Sequence, residues 1–204
     1  MGNSVLGSAR LQTARLRLRR WRDDDLDAFT ALNADPQVMA QFPAALSPAE
    51  SAYVLEQIES GFERNGFGIW AIETLADDTF IGLAGISVVP FEAPFTPAVE
   101  VGWRLLPAAW GHGYATEAAN AALGYGFGPG KLPEIVAFAS ATNGRSIAVM
   151  RRLGMRHDEH GDFKHPLMDA EHPLAPHVLY RLTHEDWRVA RPSSPSSPGS
   201  SPRR

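Results

Sequence analysis

The stretch Pro107-Ala108-Ala109-Trp110-Gly111-His112-Gly113-Tyr114-Ala115-Thr116-Glu117-Ala118 decides the reading of this chain. A strand-like run, Val99 to Leu106, enters it, and a helical pattern leaves it from about Tyr114 to Phe127. Gly111 and Gly113 punctuate the turn between them. A strand that passes through a glycine-rich turn directly into a helix presents that helix's first N–H groups, which have no partner inside the helix. Those amides and the positive end of the helix dipole make an anion site suited to a diphosphate. Glycine at 111 and 113 lets the backbone approach phosphate oxygens closely, and Thr116 adds a hydroxyl donor. No Gly-Lys-Ser/Thr follows, which excludes a Walker loop. The third glycine and the parallel βαβ setting of the dinucleotide fingerprint are absent as well.

Reading toward the N-terminus, Pro90 to Pro97 is a Pro- and Phe-rich loop, and Phe67 to Thr74 and Thr79 to Val89 are two strands joined by an Ala76-Asp77-Asp78 turn. Ser47-Pro48-Ala49-Glu50 is a capping box with Pro at the first helical position. It opens a helix with Val54, Leu55, Ile58 and Phe62 at helical spacing. Asp23-Asp24-Asp25 starts an earlier helix carrying Leu26, Phe29 and Leu32, which Asp35-Pro36 is expected to stop. Arg15-Leu16-Arg17-Leu18-Arg19 alternates with the period of a half-buried strand.

Toward the C-terminus, Gly128-Pro129-Gly130 ends the long helix. Ile135 to Ala139 is a buried strand, and a short helix runs from Ser146 to Leu153 with Gly154 at its C′ position. Met155 to about His160 and His177 to Leu182 are closing strands joined by a His- and Pro-rich loop. The order βααβββαβαββ implies one mixed α/β (α+β) sheet of about seven strands with flanking helices. One domain is expected over 11–188, between a lead at 1–10 and a tail at 189–204 whose Ser/Pro composition cannot bury a core.

Bulk properties narrow the function. The 204 residues suffice for one sizeable core, and a net charge of -4 creates no global field for nucleic acid or anionic membrane. No apolar run approaches a membrane span. The chain has no cysteine, which excludes a disulfide framework and a thiol nucleophile and suits a cytoplasmic location. His157, His160, His165, His172 and His177 form no metal-ligand spacing, so no metal is expected.

The quoted stretch resembles the pyrophosphate loop of the GNAT N-acetyltransferases, and its spelling Trp110-Gly111-x-Gly113-Tyr114-Ala115-Thr116-Glu117-Ala118 resembles the ribosomal-protein N-terminal acetyltransferase branch. Asn143-Gly-Arg-Ser146, with Arg151-Arg152-Leu153-Gly154 after it, resembles that branch's second block. Leu11-x-Thr13-x-Arg15-Leu16-x-Leu18-Arg19 resembles its opening. The resemblance implies a sheet whose central strand pair is splayed, with Val99–Leu106 as one member. It implies that acetyl-CoA is held by Leu105, Leu106, Gly111, His112, Gly113, Tyr114, Ala115, Thr116, Asn143 and Arg151, and that an amine attacks the thioester directly through a tetrahedral intermediate. Glu100 resembles the strand glutamate that serves as base in another branch, and Ser146 is the counterpart of a proton donor to the departing thiolate. The residues alone leave Glu100 as a solvent-facing strand position and Ser146 as a helix cap.

The chemistry sets its own demands. At pH 7 a lysine amine is only about 0.04% neutral and an α-amine about 10%. An ordinary glutamate is too acidic to deprotonate either efficiently, so Glu100 needs burial or a water relay to act as base. The expected partners are acetyl-CoA and an amine, either a protein N-terminus or a small molecule, for a monomer or homodimer. The Pro90–Pro97 loop and the helices between Asp23 and Phe62 are expected to form the acceptor wall. The competing readings are an acyl-CoA sensor without turnover and an anion-binding module of another fold.

Overall fold

The computed structural model describes residues 10–190. The expected lead and tail lie almost wholly outside them. Nine strands and six helices follow in the order β1 (Leu11–Gln12), β2 (Leu16–Arg19), α1 (Leu26–Ala34), α2 (Pro36–Met39), α3 (Pro48–Asn65), β3 (Ile69–Thr74), β4 (Phe80–Val88), β5 (Val99–Leu105), α4 (Tyr114–Phe127), β6 (Glu134–Ser140), α5 (Gly144–Arg152), β7 (Arg156–His157), β8 (Phe163–Lys164), β9 (Pro176–Thr183) and α6 (His184–Ala190).

The strands form one sheet in the order β1-β2-β3-β4-β5-β6-β9-β7, with β8 also paired to β9. The two strands beyond the expected seven, β1 and β8, have two residues each. The expected closing strand at Met155 to His160 shrinks to Arg156–His157, because Glu159–Gly161 turns as a single 3-10 coil. Every pairing is antiparallel except β5 with β6. β4 holds β5 in unbroken register from Val88↔Val99 to Gly82↔Leu105. The parallel pair registers only at Glu100↔Val136. Beyond that point the two strands part.

Alternation along the strands builds two layers of core. On one face Trp70, Ile72, Ala84, Ile86, Val101 and Leu105 pack against Ala118, Ala119, Ala122 and Leu123 of α4 and Met150 of α5. Small residues let α4 lie close to the sheet: a Cβ on Gly126 would stand 2.6 Å from Ile135. On the other face Ala71 and Leu83 pack against Phe29, Leu32, Val38 and Met39 from α1 and α2. Further along that second face, Val136 and Leu179 pack with Val89 and Phe95, joined by Phe91, Phe138 and Phe163. Burying each such side chain contributes about 1.5–3 kcal/mol relative to leaving it exposed.

Ser47 and Glu50 form the expected capping box, with Ser47 Oγ accepting from Glu50 N at 3.2 Å and Glu50 Oε2 from Ser47 N at 2.7 Å. At Asp35-Pro36 the chain stops one helix and starts another. Asp35 Oδ1 accepts from the N–H groups of Gln37 (2.8 Å) and Val38 (3.1 Å), and Pro36 occupies the first position of α2, where its missing N–H costs nothing.

Candidate functional site

Where β5 leaves β6, backbone groups lose their ladder. The Leu106 amide donates to the carbonyl of Ile81 at 2.9 Å, so it faces β4 and is not free for a ligand. Alternation then directs the N–H and C=O of Trp103 and Leu105 to the open side. The Leu105 carbonyl accepts from Trp110 Nε1 at 2.9 Å. Among the described residues the Leu105 amide has no such partner, and both Trp103 and Leu105 line a cavity of about 1360 Å³. Leu105 thus lines the cavity, whereas Leu106 lies outside the lining with its amide committed to the sheet.

The glycine loop forms the next wall, and Gly111, His112, Gly113, Tyr114, Ala115 and Thr116 all line the cavity. Gly111 (φ 81°) and Gly113 (φ 80°) are left-handed, a conformation costly for other residues. A Cβ on Gly111 would meet nothing within 4 Å, and one on Gly113 only Arg15 Nη2 at 3.6 Å. The space in front of the turn is open. No side chain caps α4, and its first internal bond runs from Glu117 N to Gly113 O at 3.1 Å. The amides of Tyr114, Ala115 and Thr116 are therefore left for a ligand, which is the donor set a diphosphate needs.

The chain's opening strand braces this loop. Arg15 pairs with Glu117 at 2.6 Å, donates from Nη1 to the His112 carbonyl at 3.0 Å, and lies 4.6 Å over the Tyr114 ring. Thr13 Oγ1 donates to Glu117 Oε1 at 2.6 Å. Burial pushes the Glu117 carboxyl up, but the bonds from Thr13 and Arg15 outweigh it and hold the group below its ordinary pKa.

α5 supplies the third wall. Asn143 is its N-cap, with Oδ1 accepting from Ser146 N at 3.1 Å. Ser146 is therefore three residues inside the helix rather than its cap, and its hydroxyl has no protein partner among the described residues. Both residues line the cavity, but Arg151 does not. At 100° per residue, Arg145 and Arg152 share a face and Arg151 turns away; the cavity is lined by the first two. Arg145 also lies 4.2 Å over the Trp110 ring, joining the two sequence blocks.

The fourth wall comes from α2 and the segment after it, through Gln37, Val38, Gln41 and Phe42, together with Arg104 of β5. These residues lie on the α1–α2 face of the sheet, while the α4 N-terminus belongs to the opposite layer. The cavity thus passes through the gap between β5 and β6. Gln41 Oε1 accepts from Thr142 Oγ1 at 3.2 Å, tying this segment to the loop before α5. The Pro90–Pro97 loop is not part of this wall. Its phenylalanines cover the β6–β9 half of the same face, and it lines a separate cavity of about 610 Å³.

Glu100 occupies the apex where the strands part, on the face it shares with Arg104. Its side chain is crowded by protein yet keeps some accessible surface, and it does not line the large cavity. Ser87 Oγ donates to it at 3.3 Å across the strand pair. Burial is the main influence, pushing the carboxyl up to about 7 against a smaller opposing pull from Ser87.

Sequence reasoning passed over Arg104, Phe42 and Gln41. The signal for Arg104 was the alternation Glu100-x-Gly102-x-Arg104, which puts three residues on one face. Nothing comparable marks Phe42 or Gln41, which reach the cavity only through the docking of α2. Among the described residues, no group of three or more His, Cys, Asp or Glu side chains is arranged to hold a metal, and no helix is long and apolar enough to cross a membrane.

Comparison with known proteins accords with this geometry. The family description "Acetyltransferase (GNAT) domain" matches residues 15–156. The FsC-acetyl coenzyme A-N(2)-transacetylase of Aspergillus fumigatus is 31% identical over 193 residues, covering 90% of this chain and 80% of that protein. A solved acetyltransferase from Agrobacterium tumefaciens superposes with a TM-score of 0.69 at 28% identity, over 85% of this chain and 94% of the other. The RimL ribosomal-protein α-N-acetyltransferase, solved in complex with coenzyme A, gives a TM-score of 0.69 at 17% identity, over 86% and 98% of the two chains, a likeness of fold alone.

Proposed function

The chain belongs to the GNAT family of acetyltransferases, and from that premise we propose that it moves an acetyl group from acetyl-CoA to a primary amine by direct attack, with Glu100 accepting the amine's proton. The observation that carries this reading is the cavity running from the free amides of α4 through the gap between β5 and β6. Bound acetyl-CoA supplies the activated thioester. The amides of Tyr114, Ala115 and Thr116 hold its diphosphate, with Gly111 and Gly113 leaving room for close approach. The unpaired backbone groups of Trp103 and Leu105 receive the amide-bearing arm, and an N–H there meets the carbonyl oxygen as negative charge develops.

A carboxyl near pKa 7 matches the task of a base at neutral pH. Because Glu100 lies behind the cavity wall, the proton reaches it through water. The free hydroxyl of Ser146 donates to the departing thiolate and regains its proton through water from the one that Glu100 accepted. Asn143 uses Oδ1 as a helix cap, and its Nδ2 amide remains to orient the cofactor or the acceptor. The acceptor is an α-amine or a small weakly basic amine.

The test is acetyl-CoA turnover against a panel of amines, read by thiol release, with Glu100→Gln beside the wild type. Turnover should fall by ~10²-fold or more at neutral pH, the scale for loss of a general base, with acetyl-CoA affinity nearly unchanged. Near-normal turnover would make Glu100 a structural residue. Tight acetyl-CoA binding with no turnover of any amine would favour the sensor reading.

A further inference from the structure

Other arginines of the sheet, Arg19 buried and Arg17 and Arg181 part-buried, meet carboxylates. Arg19 pairs with Asp25 and Glu73, each at 2.6 Å, Arg17 with Glu73 at 3.1 Å, and Arg181 with Glu134 and Asp158, each at 2.7 Å. Arg104 does not. Among the described residues no carboxylate pairs with it, and its Nε–H is buried without a partner. The groups that hold it are neutral. Nη1 donates to Asn33 Oδ1, and Asn33 is itself fully buried and anchored by a 3.2 Å bond from Nδ2 to Ser51 Oγ. The Phe42 ring lies 4.1 Å from the guanidinium carbon. The guanidinium is therefore fixed in place, and Arg104 lines the cavity. Burial lowers the pKa of this arginine to about 10, so the group is still a cation at neutral pH. An unpaired cation in such a place is costly unless an anion joins it.

The surroundings indicate where that anion comes from. Glu100, Gly102 and Arg104 share one face of β5. A Cβ on Gly102 would meet nothing within 4 Å, so the face between the glutamate and the arginine is bare. Glu100 and Arg104 are four residues apart, roughly 13 Å along the strand. With one water between Glu100 and the amine, the stretch from amine to guanidinium is roughly 6–10 Å.

We propose that Arg104 is a specificity residue that binds a carboxylate of the acceptor, so that the preferred substrate is an amine carrying a carboxylate several bonds away. The proposal rests on the acetyltransferase reading for its amine end only. A planar guanidinium that keeps N–H donors beyond its bond to Asn33 matches a carboxylate in two-point contact. The spacing suits the α-amine of a short peptide end with an acidic side chain, and an ω-amino acid is the minimal probe of the same spacing; in a simple α-amino acid the two groups lie too close together to span the bare face.

The experiment compares ω-aminohexanoate with its carboxamide as acceptors, in the wild type, Arg104→Gln and Arg104→Lys. The wild type should favour the acid by about tenfold or more in kcat/KM, the scale of a charge-assisted pair. Arg104→Gln, which keeps a donor for Asn33, should bring that ratio to about one, chiefly by lowering kcat/KM for the acid. Arg104→Lys should retain part of the preference. A second arm needs no catalysis: calorimetric binding of ω-acetamidohexanoate and its carboxamide to the coenzyme A-loaded protein should show the same preference and the same loss. Equal use and equal binding of acid and amide by the wild type would overturn the proposal, as would a preference that persists in Arg104→Gln. Weakened acetyl-CoA affinity in Arg104→Gln with acceptor discrimination intact would reassign Arg104 to the coenzyme and overturn it too. If no amine turns over but the binding preference holds, the acetyltransferase reading fails and the anion site stands.

Discussion

A glutamate held near pKa 7 keeps a proton in the folded chain that the unfolded chain releases near 4.5. Between those values the folded state binds more protons, so the contribution of Glu100 to stability falls as pH rises. It is fully present below about pH 4.5 and lost as pH passes about 7. Glu100→Gln removes the ionisable group and with it this loss. The variant should therefore melt close to wild type at low pH and on the order of 2–5 °C higher at pH 8. Thermal melts across pH 4.5 to 8 check this, and a difference that does not change with pH would mean that Glu100 ionises like an exposed glutamate. The acid limb of wild-type kcat/KM should rise through the same pH, near 7, because the active form is the carboxylate. Strand alternation was enough to place Glu100 on the face opposite Val99 and Val101, and the chemistry required it to be buried. The burial itself was not legible. It depends on which layers cover the second face, and α1, α2 and the Phe91–Phe95 loop come from separate parts of the chain.

The turn entering α4 was the most legible element, since two glycines between a strand and a helix leave few alternatives. Its bracing was less so: Arg15 was read as part of a strand and Thr13 only within the opening that carries the resemblance, yet they clamp Glu117 from about a hundred residues away. α5 shows how local ambiguity misplaces a role. Asn143 and Ser146 are both good caps, and the helix begins after the first, which rotates Arg152 toward the cavity and Arg151 away. At Gly113 conformation and contact can be separated. Valine there violates the left-handed φ of 80° and should destabilise the fold whatever the ligand. Asparagine tolerates that region, so Gly113→Asn should melt nearer to wild type than Gly113→Val. Its side chain would enter the open space before the α4 amides and should remove most of the melting-temperature rise that acetyl-CoA gives the wild type. A full acetyl-CoA shift in a folded Gly113→Asn protein would separate the loop from the diphosphate site.

For the whole molecule, the decisive feature is one parallel contact in an otherwise antiparallel sheet. Glu100↔Val136 joins the β1–β5 half to the β6–β9 half, and the space beyond it joins the α4–α5 layer to the α1–α2 layer. Sequence patterns identify strands but not how far a pair stays together, so the gap was expected from resemblance alone, and α2 as a wall of the cavity emerged from tertiary packing. That wall bears on the substrate. The single carboxylate lining the cavity among the described residues, Glu117, is neutralised by Arg15, while Arg104, Arg145 and Arg152 also line it. The lining has no free negative charge to draw in a polycation or a protonated lysine, and like charges repel across a poorly screened cleft. The protonation of the acceptor acts in the same direction, since at pH 7 an α-amine is neutral to about 10% and a lysine amine to about 0.04%. A peptide N-terminus followed by an acidic residue should therefore be acetylated with a kcat/KM at least about tenfold above that of an N-terminally blocked lysine peptide or a polyamine. Raising the pH from 7 to 9 should narrow the gap, because both amines approach their neutral forms while the arginines stay charged. Competition among the three acceptors, followed by mass, would decide the matter: polyamine or lysine products dominating at pH 7 would rule out the α-amine preference and leave the acetyltransferase assignment untouched.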